Sequence, residues 1–223
     1  FTITSNLDSG VGTLRQAIVD ASDGDEIVFN LASGNETITI TSQLSIDKTL
    51  TINGINSLGS GTYVTVQVSG SSRVFNISIN QADKTVSLSN LTIKDGNVIG
   101  NGGGILFNTI LSTVKLNLNN VTISSNYATG YGGGLYQVSG GVLNLEGCTV
   151  SNNTAGDIGG GLNINNGTAR VLNSTISGNT GTNYSGAIGT GSGSTIYLIN
   201  TTISGNYGGA YGPGGFYNSN VTY

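Results

Sequence analysis

Only three charged side chains follow residue 115: Glu146, Asp157 and Arg170. Any acid–base chemistry in that half of the chain has to use them. Glycoside hydrolysis needs two carboxyl groups flanking the scissile bond, and a polysaccharide lyase needs a base with a charge stabiliser. Glu146 and Asp157 are 11 residues apart, a separation that places them on different faces of the repeat described below. A pairing with Arg170 is the remaining arrangement. The densest acidic run, Asp20, Asp23, Asp25 and Glu26, has oxygen ligands for Ca²⁺ but lacks the alternating aspartates and distal glutamate of an EF-hand loop. It is expected to be a solvated turn. The chain contains no His, so no Ser-His-Asp triad, Cys-His pair or ordinary zinc site can be assembled. Its glycine triplets are not followed by Gly-Lys-Ser/Thr and so are not phosphate loops. The expectation is therefore no catalytic residue, no metal site and no cofactor.

Composition narrows the remaining classes. The 223 residues include 37 Gly and 1 Pro, with a net charge of −4 and only 8% charged residues, against roughly 25% in an ordinary soluble domain. Seven basic residues in a net-acidic chain cannot form a phosphate-reading stripe, so nucleic acid is excluded as a partner. No apolar run is long enough for a membrane-spanning helix. The single cysteine, Cys148, cannot form a disulfide within the chain. The start at Phe1 fits a secreted segment from which a signal has been removed.

What must position any site is a repeat. Ile93, Ile123, Val150, Ile176 and Ile203 recur at spacings of 30, 27, 26 and 27. A second marker keeps step with them: Gly104-Ile105, Gly134-Leu135, Gly161-Leu162, Ala187-Ile188 and Gly215-Phe216. Ahead of each first marker lie Leu88, Leu118, Leu145, Val171 and Leu198, and two residues earlier Val86, Leu116, Leu143, Ala169 and Ile196. That alternation buries one face of a strand. Asn, Gly and Ser then break the chain at turns that need positive φ. The pattern predicts an all-β fold, a right-handed parallel β-helix (a solenoid) of about 27 residues per turn.

Stacking turns converts these repeats into columns. Asn97, Asn126, Asn153, Asn179 and Asn206 are expected to form an asparagine ladder with a structural role, as amides stacked at the strand spacing do. The column Leu91, Val121, Cys148, Ser174 and Thr201 places the cysteine in an interior row as an inert thiol, because no cationic neighbour lowers its pKa. Gly159–Gly161 are expected to be turn residues rather than a ligand loop.

The ends differ from the middle. Thr13-Leu14-Arg15-Gln16 begins with a Thr-x-x-Gln capping box, and Leu14, Ala17, Ile18 and Ala21 follow at helical spacing. This predicts a short N-terminal capping helix, with residues 1–55 forming the cap and first coil strands and 56–223 one continuous run of β-helix repeats. No such cap is legible at the other end, where Phe216, Tyr217, Val221 and Tyr223 are the candidate assembly surface. Head-to-tail contact there would build a filament.

Two surface features complete the candidates. Nine of the ten tyrosines follow residue 126. Tyr127, Tyr131, Tyr184, Tyr207 and Tyr211 form a candidate contact surface, since tyrosine combines flat apolar area with a polar tip. Ten Asn-x-Ser/Thr sequons occur, among them Asn152, Asn166, Asn173, Asn183 and Asn200, and permit glycosylation in a suitable host.

Three stretches resemble a known group. They are Thr2-Ile3-Thr4-Ser5-Asn6-Leu7-Asp8-Ser9-Gly10-Val11-Gly12-Thr13-Leu14-Arg15-Gln16-Ala17-Ile18, Arg73-Val74-Phe75-Asn76-Ile77-Ser78, and the iterated Gly159-Gly160-Gly161-Leu162 with Asn173-Ser174-Thr175-Ile176-Ser177-Gly178-Asn179. Together they resemble bacterial secreted right-handed parallel β-helix proteins with polymorphic outer-membrane-protein-like repeats, a class with varied C-terminal anchors. The resemblance implies an extracellular or cell-surface role in adhesion or a structural layer. Expected partners are other copies of the chain, surface proteins or glycans. The alternative is a β-helix that binds or cleaves carbohydrate.

Overall fold

The structure, a computed structural model, describes residues 1–32, 36–57 and 62–218. The chain winds into a parallel β-solenoid of about eight turns at about 27 residues per turn. From Thr85 onward each turn contributes to four sheets, and the earlier turns to three. A long sheet runs from Thr2–Ile3 through Lys115–Asn119, Val142–Glu146 and Thr168–Leu172 to Thr195–Ile199, and a second from Thr37–Ile40 through Thr149–Ser151 to Thr202–Ser204. A third, of two-residue strands, runs from Asn97–Val98 to Tyr207–Gly208, and a fourth from Leu44–Ile46 through Leu135–Val138, Leu162–Asn165 and Ile188–Thr190 to Phe216–Asn218.

The columns legible in the sequence are strand partners in the structure. Leu88, Leu118, Leu145, Val171 and Leu198 pair in one register, as do Ile93, Ile123, Val150, Ile176 and Ile203. Ile105, Leu135, Leu162, Ile188 and Phe216 form the matching column on the fourth sheet. Their inward side chains fill one continuous core, except in the last turn, where Leu198 and Phe216 are exposed and Ile203 is only partly buried. Successive turns stack at about 4.8 Å, so each apolar side chain rests on its equivalent.

The corner between the long and second sheets uses left-handed residues. Asn90, Asn120, Asn173 and Asn200 have φ between 49° and 54°, with Gly147 at 63° in the same column. Asparagine and glycine enter this region at least cost. The sequon residues Asn173 and Asn200 are thus corner residues, and Asn200 Nδ2 donates to Asn173 Oδ1 at 2.7 Å. Asn152 and Asn166 are also exposed and left-handed, whereas Asn183 donates to Asp157 at 3.2 Å.

The cap is the helix Leu14–Asp20, which buries Leu14, Ala17 and Ile18. Thr13 Oγ1 accepts from the Gln16 main-chain N–H at 3.3 Å. The capping box is only half formed, because the Gln16 side chain donates forward to Asp20 at 2.8 Å. Arg15 fixes the helix to the coil: it pairs with Asp8 at 2.6 Å and donates to the Ser42 and Gln43 carbonyls. Carboxylates of the acidic run are used locally. Asp25 accepts from Ser22 N, and Asp23 accepts from Thr49 N and Lys84. Among the described residues no helix is long and apolar enough to cross a membrane.

Candidate functional site

Most of the fourth sheet's outward face would be solvent-facing in a bare solenoid, and its outward column reads Tyr136, Asn163, Gly189, Tyr217 in register. Loops joining the third and fourth sheets fold over this face and bring Tyr131, Ile158 and Tyr184 onto it. Tyr136 is consequently only 7% exposed although its side chain points away from the core. Tyr131 packs on it with ring centroids 5.8 Å apart. Tyr184 packs against Tyr217 at 4.7 Å and Tyr211 at 5.8 Å.

Tyr131 and Tyr136 form one wall of a cavity of about 350 Å³, with Asn163, Asn165, Gly191 and Ser192 among its other contacts. Its depth comes from missing side chains. Gly189 and Gly191 occupy outward positions where other turns carry larger residues, so Ile158 settles over Gly189. A methyl group at Gly189 would collide with Ile158 and lie 2.8 Å from Asn163 Nδ2 and 3.2 Å from Ser185 Oγ.

Two polar groups here lack partners. Asn163 is 5% exposed, and its side-chain amide makes no hydrogen bond with any described residue. Ser185 is fully buried, and its hydroxyl is likewise unpartnered. A buried group left unsatisfied costs about 1–3 kcal/mol, so the Ser185 hydroxyl is not placed there for stability, while the Asn163 amide opens onto the cavity. By contrast Asn165 Nδ2 donates to the Tyr136 hydroxyl at 3.3 Å, which leaves the Tyr136 proton and Asn165 Oδ1 available. Asp157 is the charge at this flank. Its field pushes the Tyr131 phenol above its usual pKa, helped by partial burial and a hydrogen bond to the same carboxylate.

The asparagine ladder is built, with one correction. Asn153 Oδ1 accepts both the main-chain N–H of Asn126 at 3.0 Å and its Nδ2 at 2.9 Å. Asn179 does the same for Asn153, and Asn206 for Asn179. The spare amide protons go to the carbonyls of Ile93, Ile123, Val150 and Ile176. Asn97 is not a member: it is exposed and pairs with Tyr127. Gly96 takes the ladder position and donates its N–H to Asn126 Oδ1 at 2.9 Å. Each true member lies three residues after its core Ile or Val, whereas Asn97 lies four after Ile93, so its side chain turns outward.

The remaining candidates are dispersed. The tyrosine surface is drawn together at Tyr131, Tyr184 and Tyr211, while Tyr127 and Tyr207 share an exposed column on the third sheet three rungs apart. Phe216 and Tyr217 form the final described strand, and Val221 and Tyr223 lie outside the described residues. Glu146 sits on the long sheet and Asp157 in a loop beside the fourth, on different faces as their spacing predicts. Arg170 holds its guanidinium 5.4 Å from the centre of the Tyr197 ring. Cys148 is 2% exposed, its thiol donating to the carbonyls of Leu118 and Glu146. Burial pushes its pKa up to about 11.

Gly159–Gly161 are structural, as expected: Gly159 has φ 71° and Gly161 packs on the Asn179 amide. The residues missed by sequence reasoning are Asn163, Asn165 and Ser185. The available signal was the pair Gly189 and Gly191 inside a strand-like segment, since interior glycines mark a close approach.

This geometry defines the class as a parallel β-solenoid. No family model, curated protein or solved structure matches the chain.

Proposed function

We propose that this chain is a structural and adhesive element working outside the cell, a rod that presents a tyrosine-rich flank to another surface. The supporting observation is the concentration of tyrosines on this flank: Tyr131 and Tyr136 stack on each other and line the groove, and Tyr184 packs with Tyr211 and Tyr217. Tyrosine is enriched in recognition surfaces because it supplies rigid contact area and a hydrogen-bonding tip at small entropic cost. The solenoid keeps that surface rigid, since every turn is hydrogen-bonded to its neighbours across the sheets. Scarce charge and abundant Asn, Ser and Thr suit an exported surface, and the resemblance to secreted proteins with polymorphic outer-membrane-protein-like repeats points the same way.

Retention of the purified chain on immobilised cell-surface glycoprotein, compared with a Tyr184→Ser/Tyr211→Ser variant, tests the reading. Retention that the double substitution abolishes supports it, and failure of the parent chain to be retained overturns it. Filaments in electron micrographs would favour self-association instead. Turnover of soluble polysaccharide would favour the cleaving alternative, against which the separation of Glu146 from Asp157 stands.

A further inference from the structure

We infer that the groove lined by Tyr131, Tyr136 and Asn165 is a binding site for a neutral saccharide, with Asn163 as its principal hydrogen-bonding residue. The inference rests on the adhesive reading and names the ligand class of the same flank. Asn163 is nine-tenths buried, lines the cavity, and leaves its amide donor and acceptor unused among the described residues. Ser185 Oγ is unpartnered beside it. A polar side chain that lines an open groove with its amide unpaired is satisfied by what enters it.

The complement is specific. Asn163 presents a donor and an acceptor, Asn165 an acceptor, and the Tyr136 hydroxyl a proton, since it already accepts from Asn165 at 3.3 Å. Adjacent hydroxyls of a sugar ring, each both donor and acceptor, answer this set. The tyrosine wall offers an apolar surface to the ring's C–H face. Charge selects against acidic sugars, because Asp157 stands next to Tyr131 and no cation lines the groove among the described residues. A volume of about 350 Å³ lies at the small end of small-molecule sites, roughly 300–1,000 Å³. It suits the end of an oligosaccharide rather than a long threaded chain.

Calorimetric titration of the full chain with lactose, maltose and cellobiose, and with digalacturonic acid as the acidic control, tests this. At least one neutral disaccharide is expected to bind, and the acidic one to bind at least tenfold more weakly. Asn163→Ala is expected to weaken binding at least tenfold while leaving the melting temperature unchanged or raised, because the amide it removes has no protein partner. Absence of binding to all three neutral sugars, preference for the acidic one, or unaltered binding by Asn163→Ala would overturn the inference. So would a fall in the melting temperature of that variant. Tyr131→Ala, which keeps Asn163, should weaken binding less than Asn163→Ala, and equal or greater loss would shift the principal role to the aromatic wall. Retention on glycoprotein that survives Asn163→Ala would sink the groove and spare the adhesive reading, whereas failure of the parent chain itself to be retained would sink both.

Discussion

Asn153 gives both its side-chain Nδ2 and its main-chain N–H to a single oxygen, Asn179 Oδ1, at 2.9 and 3.0 Å. Its own Oδ1 receives the equivalent pair from Asn126, and its second amide proton goes to the Ile123 carbonyl. One side chain therefore ties three consecutive turns. Asn153→Leu strands the Asn126 donors and the Ile123 acceptor in a site with no water access, each at about 1–3 kcal/mol. The expected loss of stability is about 4 kcal/mol in urea denaturation, with local relaxation absorbing part of the sum. Asn97→Ala, outside the ladder, is expected to change stability by less than about 0.5 kcal/mol. Equal costs at the two positions would show that the ladder begins one turn earlier.

Cys148 shares its column with Ser174 and Thr201, whose hydroxyls donate to the Leu172 and Val171 carbonyls at 2.7 and 2.9 Å. The row accepts a hydroxyl in the same role, so Cys148→Ser should cost about 1 kcal/mol or less. The native thiol should resist disulfide exchange reagents at pH 8 and react only on unfolding. Its pKa stands at about 11 in the folded chain against an ordinary 9.0. The unfolded chain thus loses this proton first. The thiol's contribution is intact below the unfolded value and is lost as pH rises from there towards about 11, reaching about 3 kcal/mol. All other groups are common to both proteins, so the test is the difference between parent and Cys148→Ser, whose pH dependence should vanish below about pH 8.

How much of this was legible beforehand depends on the physics of each feature. The core columns were readable because stacked turns force equivalent positions to carry similar side chains, and Ile93 to Ile203 keep that spacing through five turns. The ladder was readable in four of five members. The error at Asn97 came from matching residue type rather than distance from Ile93. The groove was not readable, because alternation assigns Tyr136 and Asn163 to the outward side and stops there. Which outward residues are then covered depends on loops such as the one carrying Tyr131 and Ile158, whose path is set by long-range packing. Likewise the half-formed capping box reflects a competition between the Thr13 N–H and the Asp20 carboxylate for one side chain, which the Thr-x-x-Gln spacing alone does not decide.

Asp8 couples the cap to the first coil. It pairs with Arg15 and accepts from both the hydroxyl and the main-chain N–H of Thr41, at 2.7 and 3.0 Å. Partial burial pushes its pKa up, but the bonds from Thr41 and Arg15 outweigh that and hold it below the usual carboxylate value. The folded chain therefore binds this proton less readily than the unfolded one. Its stabilising effect is complete above about pH 4 and lost as pH falls through the lower folded value. Amide exchange at Thr41 should accelerate as pH drops below about 4 once corrected for intrinsic rates. In Asp8→Asn the fast exchange should be present at every pH. Identical protection in the two proteins at neutral pH would remove Asp8 from the strap.

The ladder also explains why glycine stands before Ile105, Leu135 and Leu162, a position that Ala187 takes one turn later. A Cβ at Gly161 would lie 2.7 Å from the Ala187 carbonyl oxygen and 3.2 Å from the Asn179 amide carbon. Gly134 stands in the same relation to Gly161 and Asn153. The glycine marker and the asparagine column are thus the two sides of one contact, an amide column packed on a backbone column. Gly161→Ala forces apart turns that four sheets hold at a fixed spacing, and overpacking of this kind costs about 1–3 kcal/mol. Gly215 holds the equivalent position in the last described turn, where an added Cβ meets nothing within 4 Å. Gly215→Ala should be neutral or stabilising by up to about 1 kcal/mol through the restricted unfolded chain. Urea midpoints for the two variants decide it. If both substitutions are neutral, the glycines serve only to turn the chain, and the contact with the amides carries no weight.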